Sequence, residues 1–179
     1  LTYGEFDLDF LKLILDKHDP GPGTRFMDVG SGTGRCTLAA ALLRPSWALC
    51  TGLEILPEMT AYAREVHAAL LSSCGSSSGA PLARCEFVTA DMYSSDGGDA
   101  ASATAADYDL LFAYSTAWPS DVGDSPLYLR RLSRALAARL TVGAVVVTVD
   151  KRLRAEDGFE LVMAYEGENR ETGESTAYV

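Results

Sequence analysis

Basic residues are scarce in this sequence, and long apolar runs are missing from it. Its 179 residues include 15 Lys and Arg against 25 Asp and Glu, which gives a net charge of −10. Non-specific affinity for nucleic acids comes from basic side chains that neutralise phosphates, so we expect no direct nucleic-acid binding. No apolar run approaches the roughly 20 residues that span a bilayer, and no segment has the pattern of a signal peptide. We therefore expect an intracellular protein, cytoplasmic or nuclear, without membrane association.

The four cysteines lack the spacing of a metal site or a disulfide framework. Cys36, Cys50, Cys74 and Cys85 form no C-x-x-C pair, and three of them lie within apolar stretches. Such surroundings are typical of buried thiols in a reducing compartment. We predict that the cysteines are buried thiols and that the protein holds no metal.

Length and composition indicate one globular domain. Hydrophobic residues make up 47% of the chain and charged residues 22%, which is close to ordinary globular usage. The length is that of a single domain with its own core. We assign residues 1–179 to this domain, with an N-terminal segment and helix at 1–22 and flexible Ser-, Gly- and Ala-rich loops at 73–81 and 94–106.

Apolar patterns alternate along the chain between helical and strand-like spacing. The predicted helices lie at 6–18, 35–43, 58–72 and about 125–141. The predicted parallel strands lie at 25–29, 47–53, 85–89, 108–113 and 144–149, and a final antiparallel pair at 158–165 and 175–179. This alternation predicts an α/β sandwich, with helices on both faces of a mostly parallel seven-stranded sheet that ends in an antiparallel hairpin.

A glycine-rich loop follows the first predicted strand. Residues 25–29 run into Gly30-Ser31-Gly32-Thr33-Gly34, and a helix comes next. A strand, a glycine turn and a helix together bring backbone N–H groups close to a nucleotide ligand. Asp28 stands two residues before the first glycine, where a carboxylate disfavours a pyrophosphate and suits the ammonium group of S-adenosylmethionine (SAM).

Two further acidic residues come at the ends of the next two predicted strands. Glu54 ends the second strand, where a carboxylate can accept both ribose hydroxyls of a nucleotide cofactor. Asp91 and Met92 follow the third strand and can hold an adenine, through the carboxylate and a backbone N–H. Acids at successive strand ends favour SAM as the cofactor. An NAD-dependent oxidoreductase is the alternative.

These residues resemble a known family. Residues 26–34 are similar to motif I of class I SAM-dependent methyltransferases, whose fold is a Rossmann-like sandwich. Within that class the chain most resembles the disruptor-of-telomeric-silencing family of histone lysine methyltransferases, which lack a SET domain, and related protist proteins. Residues 2–5 (TYGE) are similar to the family's YGE segment, which closes over the methionine part of SAM, and residues 52–55 (GLEI) to its GIE strand end.

The resemblance implies SAM as the cofactor and a set of residues that bind it. That set comprises Tyr3, Glu5, Asp28, Gly30, Ser31, Gly32, Thr33, Gly34, Glu54, Ile55, Asp91 and Met92.

The segment 111–118 corresponds to the active-site segment of the family. The histone enzymes have asparagines where this chain has Tyr114 and Ser115. We name Tyr3, Tyr114, Ser115 and Trp118 as candidate catalytic residues, the three aromatic ones as walls of a substrate channel. An aromatic channel lowers the pKa of a lysine amine by desolvation, and a lysine must be neutral to accept a methyl group.

The C-terminal part of the chain is strongly acidic. Residues 154–179 contain seven acidic residues and two arginines, a charge that steers a basic protein or peptide substrate or serves as a solvated edge that discourages strand pairing. The function predicted from the sequence is SAM-dependent methylation of a protein lysine. The alternatives are a small-molecule or other protein N-methyltransferase and a catalytically silent SAM-binding module.

Overall fold

The computed structural model describes residues 4–74, 81–94, 107–119, 127–169 and 173–179. Residues 1–3 and most of the two loops predicted at 73–81 and 94–106 lie outside the described residues. No helix in the described part of the chain is long and apolar enough to cross a membrane.

Seven strands of the described residues form one mixed sheet. The strands are β1 (Arg25–Val29), β2 (Leu49–Glu54), β3 (Cys85–Thr89), β4 (Leu110–Ala113), β5 (Val145–Val149), β6 (Ala164–Asn169) and β7 (Gly173–Tyr178). Their order across the sheet is β3-β2-β1-β4-β5-β7-β6. The first five strands are parallel, and β7 is antiparallel to both β5 and β6. The predicted fold class is confirmed.

In the described ranges, four α-helices accompany the sheet. They are α1 (Leu8–Lys17), α2 (Arg35–Leu43), α3 (Pro57–Cys74) and α4 (Arg130–Ala137), and a short 3-10 helix spans Ala155–Asp157. The helix α1 begins where the Asp7 side chain accepts hydrogen bonds from the backbone N–H groups of Asp9 and Phe10, which satisfies two amides that have no partner within the helix.

The two faces of the sheet bury separate cores because successive strand residues point to opposite sides. Phe26 and Phe112 belong to the core that includes α1 and α2. Met27 and Leu111, one residue away in each strand, belong to the core that includes Leu132 of α4. The sheet is therefore covered by helices on both faces, and the strand ends between them are left to form a site.

Two of the three cysteines whose side chains are described are buried, as the sequence predicts. Cys36 and Cys50 are buried, Cys85 is half-buried, and all three are free thiols. Burial raises the pKa of each of them, that of Cys85 to about 11. Thiols with such pKa values stay protonated and unreactive at neutral pH.

Two predicted elements differ from the observed ones by more than two residues at an end. The helix predicted at about 125–141 begins only at Arg130, because the backbone of 127–129 pairs instead with Arg152, whose N–H donates to Leu127 and whose carbonyl accepts from Leu129. The strand predicted at 158–165 lies at Ala164–Asn169, where it pairs with β7 from Ala164↔Tyr178 to Asn169↔Gly173. Pairing with β7 determines the register of this strand.

Candidate functional site

A cavity of about 940 Å³ opens at the carboxyl ends of the parallel strands. Ligands of open α/β sheets bind in such a crevice, where neighbouring strands connect in opposite directions. Here β1 lies between β2 and β4, which places the cavity at that position. Asp28 of β1, Glu54 of β2 and Phe112 of β4 line it, together with Asp91 just after β3.

Most of the predicted site residues line this cavity. They are Glu5, Asp28, Gly30, Ser31, Gly32, Glu54, Ile55, Asp91, Met92, Tyr114 and Trp118. Three others, Thr33, Gly34 and Ser115, do not line it. Tyr3 lies outside the described residues. The strand ends thus bring together residues that are distant in the sequence.

The first part of the glycine loop is tied to the end of β2. The backbone N–H groups of Gly30 and Ser31 both donate to the carbonyl of Leu53, at 2.8 and 3.0 Å. Gly30 has a φ of 77°, and a β-carbon added there would lie 3.0 Å from Cζ2 of Trp118. The loop backbone therefore forms one wall of the cavity, with the indole of Trp118 against it.

Gly34 has a structural role at the start of α2. It is the N-cap of the helix, with a φ of 79°, a conformation that residues with a β-carbon rarely adopt. A β-carbon at this position would lie 2.5 Å from Cε1 of Phe87 and 2.9 Å from Cβ of Ala63. Gly34 thus allows α2 to pack closely against β3 and α3.

Asp28 is a buried carboxylate at the cavity wall, only 3% exposed. Its Oδ2 accepts a hydrogen bond from the hydroxyl of Thr37 at 2.8 Å. Burial raises the pKa of Asp28 to about 7; the Thr37 hydrogen bond acts in the opposite direction, and the nearby Glu54 charge adds to the increase. A carboxylate in this environment gains most from a cationic ligand, because a positive charge compensates the cost of its burial.

Glu54 holds the loop and lines the cavity at the same time. Its Oε2 accepts from the backbone N–H of Gly32 at 2.9 Å, and its Oε1 accepts from the N–H of Leu56 at 2.9 Å. Each carboxylate oxygen can accept a second hydrogen bond, so the two oxygens are oriented and still have capacity for hydroxyl groups of a ligand. Ile55, the next residue, is exposed at the rim.

The far corner of the cavity is formed by residues that follow β3. Asp91 accepts a hydrogen bond from the N–H of Tyr93 at 2.8 Å. Arg139 donates to the carbonyl of Met92 at 2.6 Å, and the guanidinium of Arg131 lies over the ring of Tyr93, 3.9 Å from its centroid. The segment that carries Asp91 and Met92 is therefore held by arginines on α4 and just after it.

The N-terminal segment closes the cavity on the side of α2. Arg35 forms an ion pair with Glu5 at 3.2 Å and donates to the carbonyl of Phe6 at 3.1 Å. The ring of Phe6 is buried and packs against the rings of Phe112 and Tyr114, with centroids 5.1 and 5.3 Å apart. Sequence reasoning missed both Arg35 and Phe6. The available signal was a cation in the first turn of α2, where the helix dipole disfavours positive charge.

The aromatic end of the cavity comes from the segment after β4. Tyr114 lines the cavity, and its hydroxyl accepts a hydrogen bond from Nδ2 of Asn169 at 2.8 Å. Trp118 lines it too, and the carbonyl of Trp118 accepts from Lys151. Ser115 is fully buried between β4 and β5: its hydroxyl donates to the carbonyl of Val149 at 2.7 Å and accepts from the Val149 N–H at 3.1 Å. Ser115 joins the strands, and the structure does not bring it to the cavity.

Comparison with known proteins gives one family and many structures of the same fold. The family described as histone methylation protein DOT1 matches residues 1–117. No curated protein sequence matches this chain. Similar solved structures include the rRNA methyltransferase aviRa from Streptomyces viridochromogenes (TM-score 0.69, 19% identity, 99% of this chain and 86% of that one).

Two further structures were solved with S-adenosylhomocysteine (SAH). An RNA methyltransferase from Salinibacter ruber has a TM-score of 0.60 and 18% identity, over 97% of this chain and 90% of that one. The magnesium protoporphyrin IX methyltransferase from Synechocystis has a TM-score of 0.61 and 15% identity, over 96% and 79%. At these identities the similarity shows a shared fold, and the enzymes named act on different substrates.

Proposed function

The chain belongs to the family of histone methylation protein DOT1, and we propose that this SAM-dependent methyltransferase modifies lysine side chains of a basic protein or peptide. The observation that carries the proposal is the composition of the cavity. It runs from three carboxylates at the strand ends to an aromatic end formed by Tyr114 and Trp118.

The carboxylates suit the polar groups of the cofactor. The buried charge of Asp28 pairs with the ammonium group, and the oriented oxygens of Glu54 accept from the ribose hydroxyls. Asp91 and Met92 hold the adenine. When bound, SAM supplies a methyl group that its sulfonium has already activated.

The aromatic end suits an amine that must lose its charge. Phe112, Tyr114 and Trp118 line the cavity there, and desolvation by such side chains lowers the pKa of a lysine amine, so that its lone pair becomes available. The chain then has to align this amine and exclude water. Holding two reactants in line supplies about 7–11 kcal/mol of the barrier reduction in favourable cases.

The charge of the protein favours a basic partner. The net charge is −10, and Glu166 and Glu168 are exposed on β6, the edge strand of the sheet. Complementary charge increases the rate at which a basic substrate meets the protein. The same charge disfavours RNA, although some proteins of the same fold are named as RNA methyltransferases.

The test is transfer of tritium from labelled SAM to defined acceptors. Purified protein is incubated separately with core histones, total RNA and a small-molecule extract of cells. We expect label in the histones, recovered as methyllysine after acid hydrolysis, and no label in histone peptides whose lysines are replaced by arginine. Label only in the RNA or the extract, or in none of the three, would contradict the proposal.

Two glutamate variants test whether transfer of the labelled methyl group depends on this cavity. Glu54→Ala removes the carboxylate that holds the glycine loop, and we expect transfer to fall by tenfold or more. Glu58→Ala is the matched control, because Glu58 is exposed in the first turn of α3 and does not line the cavity. Equal activity of the two variants would contradict the role that we propose for Glu54 in this cavity.

A further inference from the structure

Buried polar side chains form a chain of hydrogen bonds behind Tyr114. Nδ2 of Asn169 donates to the hydroxyl of Tyr114 and to that of Ser175, each at 2.8 Å. The hydroxyl of Ser175 in turn donates to Oδ2 of Asp150 at 3.1 Å. Asn169 is 1% exposed and Ser175 is 3% exposed. Polar groups this deeply buried are almost always hydrogen-bonded. This series of hydrogen bonds ends at Tyr114, which lines the cavity.

The direction of each hydrogen bond follows from the carboxylate at its inner end. An ionised carboxylate only accepts, so Ser175 donates to Asp150 and must accept from Asn169. The nitrogen of the Asn169 amide therefore faces both hydroxyl groups, and its two hydrogens are used by Ser175 and Tyr114. The oxygen of Tyr114 is consequently an acceptor within the chain of bonds, and its own proton points away from Asn169.

Asp150 anchors the chain of bonds in an unusual backbone conformation. Its φ is 61°, and no other non-glycine residue of the described ranges has a positive φ. Two hydrogen bonds with Thr176 hold it: the Asp150 N–H donates to the Thr176 carbonyl, and the Thr176 N–H donates to Oδ1 of Asp150. Oδ2 also accepts from the hydroxyl of Thr116, which lines the cavity. Such conformations persist where the surrounding structure holds them, often at functional sites.

We propose that Asn169 is a positioning residue for methyl transfer, which holds the Tyr114 hydroxyl so that its proton is donated to a peptide carbonyl oxygen of the substrate that carries the lysine. Asn169 is the only residue of the chain with a carboxamide side chain. It lies on β6, beyond the residues that the family model matches. The inference rests on the proposed function, since it assigns a substrate contact to the cavity described there.

The kinetic test is a double-mutant cycle with core histones as the acceptor. Asn169→Ala removes the donor, Asn169→Asp keeps the shape of the side chain but presents oxygens in place of the amide donor, and Tyr114→Phe removes the hydroxyl. We expect each to lower kcat/KM for histones about tenfold, the effect of one lost hydrogen bond in a transition state, while the Kd for SAH stays within about twofold. If Asn169 acts through Tyr114, the double variant Asn169→Ala/Tyr114→Phe is no worse than Tyr114→Phe alone.

Two control variants separate positioning from loss of stability. Thr24→Val removes the side-chain hydrogen bond of another buried residue, from the Thr24 hydroxyl to the Gly21 carbonyl near the opposite end of β1. Tyr178→Phe removes the hydroxyl of a β7 tyrosine that does not line the cavity. Both are expected to leave kcat/KM unchanged. Effects of the Asn169 and Tyr114 variants that multiply in the double variant would overturn the inference.

A spectroscopic measurement keeps the inference separate from the proposed function. The eight tyrosines are replaced by 3-fluorotyrosine, and the fluorine resonance of Tyr114 is identified by its absence in Tyr114→Phe. Asn169→Ala should shift this resonance and Thr24→Val should not. A resonance that Asn169→Ala leaves in place would overturn the inference even if histones are methylated. Failure of the unaltered protein to methylate histones would contradict the proposed function, and the fluorine spectrum then decides whether Asn169 holds Tyr114.

Discussion

At the scale of single residues, the burial of Asp28 has opposite effects on the stability of the fold and on ligand binding. Without a ligand this burial is unfavourable, because the charged carboxylate has lost its hydration and has one side-chain partner, the hydroxyl of Thr37. The same burial makes the carboxylate a strong partner for a cation that enters the cavity. A residue of this kind lowers the stability of the fold and serves the ligand.

The raised pKa of Asp28 makes SAH binding depend on pH. In the empty protein the carboxyl is largely protonated below its pKa of about 7, whereas the ammonium group of the ligand needs the ionised form. We expect SAH to bind about tenfold more weakly at pH 6 than at pH 8, since only the ionised fraction is competent. Isothermal titration calorimetry at the two pH values measures this. In Asp28→Asn the affinity for SAH should be low and should be equal at pH 6 and pH 8. An affinity of the unaltered protein that does not change with pH would contradict the role of Asp28.

The raised pKa of Asp28 also makes the stability of the protein depend on pH, in the direction opposite to SAH binding. The folded pKa of Asp28 lies above its ordinary value of 3.8, so its contribution to stability is present at low pH and is lost as pH rises from about 4 to about 7. Asp28→Asn keeps an acceptor for Thr37 and removes the charge. We expect it to stabilise the empty protein by about 1–3 kcal/mol at pH 8, measured by urea unfolding, with a much smaller gain at pH 4. Destabilisation at pH 8 would contradict this.

At the scale of elements, the glycine loop and α2 form one unit with the end of β2. The loop amides bond to Leu53, and the Gly32 amide bonds to Glu54. The helix that follows packs closely against its neighbours because Gly34 has no side chain. The packing of the glycine loop and α2 therefore depends on contacts that also position the cavity wall.

Gly34→Ala tests the close packing of α2. Gly34 and Gly23 have similar backbone conformations, with φ of 79° and 86°, but an added β-carbon meets Phe87 at Gly34 and nothing within 4 Å at Gly23. Both substitutions carry the cost of a left-handed residue, and only Gly34→Ala adds overpacking. We expect Gly34→Ala to be less stable than Gly23→Ala by about 1–3 kcal/mol in urea unfolding. Equal losses would show that Phe87 moves aside without cost.

Arg35 connects α2 to the N-terminal segment. Its ion pair with Glu5 is well exposed, 39% and 50% for the two side chains, and such pairs add little to stability. We therefore expect Arg35→Ala to leave the thermal midpoint almost unchanged and to increase the dissociation rate of SAH severalfold, because Glu5 and Phe6 line the cavity. Lys12→Ala, which removes an exposed pair with Asp16 on α1, is the control. Stopped-flow measurement of SAH release that gives equal rates for both variants would contradict the role of Arg35.

The parts of the fold that the sequence predicts are those that local pattern determines. The strand at 25–29 and the helix at 35–43 lie where they were predicted, because an apolar run and a glycine turn set their ends. The position of β6 depends on pairing with β7, a contact between strands that no local pattern contains. Ser115 and Asn169 illustrate the same limit at the site. Hydrogen bonds to residues far along the sequence join Ser115 to β5 and Asn169 to Tyr114, which lines the cavity.

At the scale of the whole molecule, one sheet supports two different ends of a cavity. The strands β1, β2 and β3 bring three acidic residues to the end that suits the cofactor, and β4 leads to Tyr114 and Trp118. Asn169 of β6 donates a hydrogen bond to the hydroxyl of Tyr114 at this second end. The net charge of −10 supports the basic substrate that we propose for this site.

A crystal structure of the protein with SAH tests the central claim most directly. We expect the ammonium group within hydrogen-bond distance of Asp28, the ribose hydroxyls at Glu54 and the adenine beside Asp91 and Met92. The sulfur should face the aromatic end, toward Tyr114 and Trp118, through an opening narrow enough for a lysine side chain. SAH bound outside this cavity, or with its sulfur turned away from Tyr114 and Trp118, would contradict the claim.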